Sequence, residues 1–356
     1  MSRGVFVLGM HRSGTSAATR LVNLLGLPTC VEEDLLPGTD DNPRGYWESA
    51  SLTAFNDRIF ERFESDWSCP PKLDPGWEAD SAFTELRAEA AALFSRVFQA
   101  EPWVWKDPRN CITLPFWMTA LDVEPAVVLV HRSPLEIAAS LGARDDLGTA
   151  YSLALWERYL RSCLSAVSGL PALVTTYDDI LDDPAAWSHG VRDFLGRVGV
   201  ATGELAPDAL DYVDTELRHT RLTREDVVGN PAVSSAQREL LDVLNGLVGA
   251  HETLSVPSLP EETHATGALL AERRRLYPRE REYRELGEYS RSLGEQFVKL
   301  QRYSEGLGTQ FVELQRSSED LWAQFQELQR YSDDLGQRFL ALEAYARELQ
   351  SRAPGG

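Results

Sequence analysis

Four short apolar runs, Val5–Leu8, Trp103–Trp105, Val127–Val130 and Leu173–Thr176, fit buried strands and are too short for helices of their own. Residues 15–26, 83–99, 134–142, 149–168 and 184–197 instead place apolar side chains every three or four positions, which predicts amphipathic helices. Strands alternating with helices predict a three-layer α/β domain around a mostly parallel sheet, spanning residues 1–255. Turn formers without periodicity occupy 256–268, so a linker is expected there, continuing into a charged helix start up to 282.

The pattern then changes. From Tyr289 the chain repeats every fourteen residues, which is two heptads. Leucine recurs every seventh position from Leu286 to Leu349 without exception. Halfway between these leucines, Phe297, Phe311, Phe325 and Phe339 alternate with Ser290, Ser304, Ser318 and Ser332. An apolar period of 3.5 residues predicts a coiled coil over 283–350, about 100 Å long at about 1.5 Å per residue. Gly287, Gly294, Gly308 and Gly336 weaken that helix by about 1 kcal/mol each relative to alanine. The segment is therefore expected to need a partner, and a homodimer is the simplest.

Charge narrows the choice of ligands. With 55 acidic and 35 basic residues the formal charge is −20, a field that repels nucleic acid and anionic membranes unless a basic cleft overrides it. No nucleic-acid partner is expected. The first apolar run is too short for a signal peptide or a membrane span, so a cytosolic protein is expected. Cys30, Cys69, Cys111 and Cys163 form no CxxC pair and read as reduced thiols rather than a zinc cage.

The segment after the first strand, Gly9-Met-His-Arg-Ser-Gly-Thr-Ser16, leads into a helix. A glycine-containing turn at a helix start surrounds an anion with backbone N–H groups, and the spacing Gly9-x4-Gly14 is that of a phosphate loop. Thr15 stands where a nucleotide triphosphatase carries lysine, and the cation is Arg12 instead. After Val127–Val130, a metal-dependent nucleotide enzyme would need a carboxylate, but the chain reads His131-Arg132-Ser133. Arg132 favours a second anion over a metal, and Pro134 suits the first position of the next helix.

These pieces resemble a family. The loop Gly9–Ser16 is similar to the 5′-phosphosulfate loop of sulfotransferases that use 3′-phosphoadenosine 5′-phosphosulfate (PAPS), and Val130–Ser140 resembles their 3′-phosphate segment. Tyr177-Asp-Asp-Ile-Leu-Asp-Asp-Pro184 resembles a Tyr-Glu-Asp-Leu-x-x-Asp-Pro segment of bacterial members, and Leu217-Arg-His219 resembles a later element. The resemblance covers about residues 1–225; the tail has no counterpart in the minimal family domain. It implies a P-loop-like fold, PAPS as donor with PAP as product, and no metal. It would assign Arg12, Ser13, Gly14, Thr15 and Ser16 to the 5′ side, and Arg132 with Ser140 to the 3′-phosphate. The Arg-Lys-Gly element of cytosolic small-molecule members is missing, and Arg218 or Arg221 would have to stand in.

Sulfuryl transfer needs a cation on the leaving oxygen and a base for the acceptor hydroxyl. Lys106, Asp107 and Arg109 follow a strand at the edge where open α/β sheets bind ligands. The segment is similar to the Lys-Asp-Pro element of tyrosylprotein sulfotransferases, which would make Lys106 the leaving-group stabiliser. Glu48, beside Tyr46 and Trp47, is the candidate base, with a dipole-favoured charge at the next helix start as the rival reading. His11, His131 and His219 are further bases to consider. The expected activity is therefore PAPS-dependent sulfation of a hydroxyl on a glycan, lipid-linked sugar or secondary metabolite. The alternatives are a P-loop kinase, or a non-catalytic nucleotide-binding scaffold with a coiled-coil tail.

Overall fold

The computed structural model describes residues 3–39, 42, 44–121, 123–204 and 221–352. Its contacts divide the chain into two units, meeting between Arg279 and Glu280.

In the first unit, β1 (Arg3–Leu8) leads to α1 (Thr15–Leu24), α2 (Ala50–Glu61) and α3 (Thr84–Val97), then β2 (Val104–Lys106) and α4 (Asn110–Leu121). β3 (Glu124–His131), α5 (Pro134–Asp145), α6 (Thr149–Val167), β4 (Ala172–Thr176), α7 (Tyr177–Asp182) and α8 (Pro184–Arg197) follow. α9 (Arg224–Gly229), α10 (Ser235–Gly246), β5 (Gly249–His251) and α11 (His264–Arg352) complete the described elements. The sheet runs β2-β1-β3-β4-β5, with every pairing parallel except that of β4 with β5. The α/β expectation therefore holds.

Strand alternation builds the three layers. Val5 and Val7 enter a core with Ala18, Leu21 and Val22 of α1 and Val191 and Phe194 of α8. Phe6 and Leu8 face the other way, into a larger core with residues of α2, α3, α4 and α6. β3 repeats the division, with Val128 and Val130 on the first side and Val127 and Leu129 on the second. Successive side chains of a strand point to opposite faces, so a strand apolar at every position must be covered on both. β1 lies between β2 and β3, and the loops leaving the carboxyl ends of these three strands meet at the switch in strand order, where such sheets bind ligands.

Segment 256–263 has no regular structure but is fastened to α6. Thr263 N–H donates to Glu157 (2.9 Å) and Glu262 pairs with Arg158 (2.6 Å). The first turns of α11 bury Thr266, Leu270 and Tyr277. In the second unit the same helix continues, and its large apolar side chains are exposed.

Candidate active site

The loop between β1 and α1 turns through the left-handed region at Arg12 (φ 67°) and at Gly14 (φ 93°). A Cβ on Gly14 would lie 2.1 Å from Cδ2 of Tyr177, and one on Gly9 would lie 2.4 Å from the Val130 carbonyl oxygen. Both positions therefore need glycine on contact grounds, beyond the turn itself. Left-handed residues set among ordinary ones aim successive N–H groups into one concavity, the geometry of an anion nest. No side chain caps the first turn of α1. Ser13 Oγ is buried in the loop without a hydrogen-bond partner.

Arg12 joins two further segments to the loop. Its Nε donates to Ser140 Oγ of α5 (2.8 Å), and its carbonyl accepts from Arg132 Nη1 (3.1 Å). Arg132 and Ser140, eight residues apart, thus both touch Arg12. The Arg132 guanidinium lies 4.7 Å over the Tyr177 ring, and its Nε donates to Glu136 (2.6 Å). Glu136 also accepts from the Leu222 N–H (2.8 Å). Tyr177 therefore fills the space that Gly14 leaves and supports Arg132 from below. A cleft of about 620 Å³ opens beside this corner between α5 and α9, lined by residues that include Leu135, Ala138, Leu222 and Asp226.

The second cluster forms at the end of β2. Lys106 Nζ is ion-paired with Glu48 and donates to Ser16 Oγ (3.4 Å) and the Tyr46 carbonyl (3.3 Å). Lys106 and Glu48 are only 3% and 7% exposed. Burial pushes the Glu48 carboxyl above the ordinary glutamate range, while the Lys106 charge pulls it back and Asp107 adds to the rise. Glu48 stands one residue before Ser49, which caps α2 by accepting from Leu52 N–H (3.0 Å). It is therefore not a first-turn helix charge. Trp47, also at positive φ (59°), lies under the Arg20 guanidinium at 4.6 Å.

Behind Lys106, Asp107 accepts from Asn56 Nδ2 (2.8 Å) and from Arg109 N–H (2.9 Å) and Nη1 (3.2 Å). Arg109 also pairs with Asp57 (2.7 Å). Asn56 in turn accepts from Thr113 Oγ1 (2.9 Å) and Trp117 Nε1 (2.8 Å). This network makes Asp107 and Arg109 anchors that fix where β2 delivers Lys106. Asn56 and Asp57 lie in α2, where no pattern of residue types marks them as partners of this segment.

Of the histidines, His11 is buried against Trp67 (4.8 Å) and Tyr159 (5.6 Å), and its Nε2 lacks a partner. Burial first, then the charges of Arg109, Arg144, Lys106 and Arg12, hold it well below the ordinary histidine range and keep it neutral. Burial likewise brings His131 down to about 4. Arg218 and His219, with the whole Leu217–His219 element, lie outside the described residues. Arg221 is exposed and 3.7 Å from Asp182. Among the described residues no group of three His, Cys, Asp or Glu side chains could hold a metal ion. All four cysteines are free and buried. Among the described residues no helix is long and apolar enough to cross a membrane.

No family model matches the chain, and no curated protein does. Among solved structures the chain is similar to the sulfotransferase domain of the olefin synthase of Synechococcus PCC 7002. Identity there is 18%, over 76% of this chain and 94% of that one, with a TM-score of 0.36. It is also similar to the sulfotransferase domain from the curacin biosynthetic pathway, at 12% identity over 76% and 97% of the two chains, with a TM-score of 0.35.

Proposed function

We propose that the protein is a PAPS-dependent sulfotransferase acting on a hydroxyl group. One observation carries this reading: the anion loop is met on one side by Arg132 and Ser140 through Arg12, and on the other by the buried Lys106–Glu48 pair through Ser16. Two separate cationic positions suit a donor with two phosphate-bearing ends.

The residues fit that donor. The turn at Arg12–Gly14, the uncapped start of α1 and the partnerless Ser13 hydroxyl would hold its 5′ side, with Thr15 and Ser16 at the helix start. Arg132 and Ser140 would hold the 3′-phosphate. The donor, when bound, supplies an activated sulfuryl group whose leaving group is a phosphate. Lys106, which reaches Ser16, would neutralise charge that grows on that side of the loop, and Arg12 would supply further positive charge. Glu48, its carboxyl raised by burial, would take the proton of the acceptor hydroxyl. Glu48 is ion-paired with Lys106, so drawing Lys106 toward a phosphate would leave the carboxylate able to act as the base. The acceptor would be a glycan, lipid-linked sugar or secondary metabolite met in the cytosol, and two copies of the chain would associate through the tail.

Incubation with radiolabelled PAPS and panels of hydroxyl-bearing acceptors tests the proposal. Transfer of label to at least one panel is expected, falling on Lys106→Ala. Absence of transfer together with absence of PAP binding would overturn it.

A further inference from the structure

The exposed tail carries information about what covers it. Its heptad leucines from Leu286 to Leu342 are 45–70% exposed, an apolar seam that the helix itself does not cover. Taking the tail as the self-association element of the reading above, we propose that its occupant is a second copy of this chain, running parallel and in register as a two-stranded coiled coil.

Glycine supplies the first argument. A Cβ on Gly294, Gly308 or Gly336 would meet no atom within 4 Å, so the single chain gives no steric reason for glycine at these helical positions. Yet each costs the helix about 1 kcal/mol relative to alanine. All three fall at the heptad position that follows the leucine. In a parallel in-register pair, a residue just before a Phe or Ser seam position faces the partner residue five positions further on. Tyr289 then faces the partner's Gly294, Tyr303 the partner's Gly308, and Tyr331 the partner's Gly336. A ring meets the space a side chain would have filled. An antiparallel pair brings the tyrosine positions against each other and the glycine positions against each other, so no register of it sets Tyr289, Tyr303 or Tyr331 against a glycine.

The breaks in the repeat supply the second argument, because an exact repeat would give regular pairs in any alignment. In the third repeat tyrosine becomes Ser317 and its facing position becomes Trp322, so the sizes exchange together. In the last repeat the facing positions become Arg338 and Glu343, opposite charges. Within the chain these two pair along their own helix, Arg338 with Asp334 (2.9 Å) and Glu343 with Arg347 (3.7 Å), exposed contacts that leave both able to reach across. The remaining facing positions from 289 to 336 hold only Gln opposite Gln, so no like charges oppose the pairing.

The full-length protein tests this. Light scattering is expected to give twice the chain mass of 39.8 kDa. Ser290→Cys, Ser318→Cys and Ser332→Cys, made one at a time, should each cross-link to a dimer under mild oxidation, since each position meets its own copy across the seam. An antiparallel pair can self-link at no more than one of them, so cross-linking at one position or none overturns the parallel register while leaving a dimer intact. A monomeric or trimeric mass overturns two-fold association itself, and a monomeric mass with PAP binding retained leaves the catalytic reading untouched. As a check on the contact, Gly308→Trp should weaken dimerisation at least tenfold, and adding Tyr303→Ser to it, which reproduces the Ser317–Trp322 pair, should restore it. No restoration overturns the assigned facing pairs.

Discussion

Removing one member of the Lys106–Glu48 pair should destabilise the fold far more than removing both. The two side chains are 4% and 8% exposed, so neither can recover its hydration when the other is deleted. Lys106→Met leaves a buried carboxylate alone, and breaking a buried pair in this way costs about 3–5 kcal/mol. The cost should shrink toward low pH, because protonation of Glu48, already favoured by burial, removes the charge. Glu48→Gln leaves Lys106 with Ser16 (3.4 Å) and the Tyr46 carbonyl (3.3 Å), so a smaller loss of about 1–3 kcal/mol is expected. The double variant removes both charges and should lie within about 1 kcal/mol of the wild type, giving a coupling of at least about 3 kcal/mol. Urea unfolding of the four proteins at pH 8 and pH 5.5 measures this directly. Additive losses, or a Lys106→Met penalty independent of pH, would refute the reasoning.

Gly14→Ala should cost more than about 2 kcal/mol and abolish anion binding, because the new Cβ falls 2.1 Å from Tyr177 at φ 93°; thermal unfolding with and without PAP checks both effects. His131 should make the protein acid-sensitive. It is neutral in the fold down to about 4 but takes a proton near 6.5 when unfolded, so stability present above pH 6.5 is lost as pH falls toward 4, by up to about 3 kcal/mol. His131→Leu should flatten that part of the stability profile, and an unchanged profile would contradict it. Turnover should fall on the acid side with a midpoint above the ordinary glutamate value, and Glu48→Gln should remove that limb along with most of the rate.

The four parallel strands are legible because each holds a short run of apolar or β-branched residues bounded by turn formers, and the phosphate loop because its glycine and arginine positions are local to it. Helix α4 was not, since Cys111, Ile112, Leu114, Phe116 and Trp117 are all buried and Pro115 interrupts the run, leaving no polar face to mark a period. β5 is three residues at an edge, Gly249–His251, too short for any alternation. The anchoring role of Asn56 depends on Asp107, Asn110, Thr113 and Trp117, more than fifty residues away, and a single polar residue in a helix carries no trace of such partners. Lys106 and Glu48 stand out in the sequence separately, one at a strand end and the other in an aromatic loop. That they pair is a property of the fold.

Donor recognition at the Arg12–Arg132 corner is the claim on which the rest depends, and calorimetric titration of PAP in the presence of EDTA tests it most directly. PAP should bind the wild type without magnesium, and Arg132→Ala should weaken it by about 10–100-fold, the worth of a charged hydrogen bond of about 1.5–3 kcal/mol. Heat from ATP with magnesium but none from PAP, or equal PAP affinity in wild type and Arg132→Ala, would contradict the account.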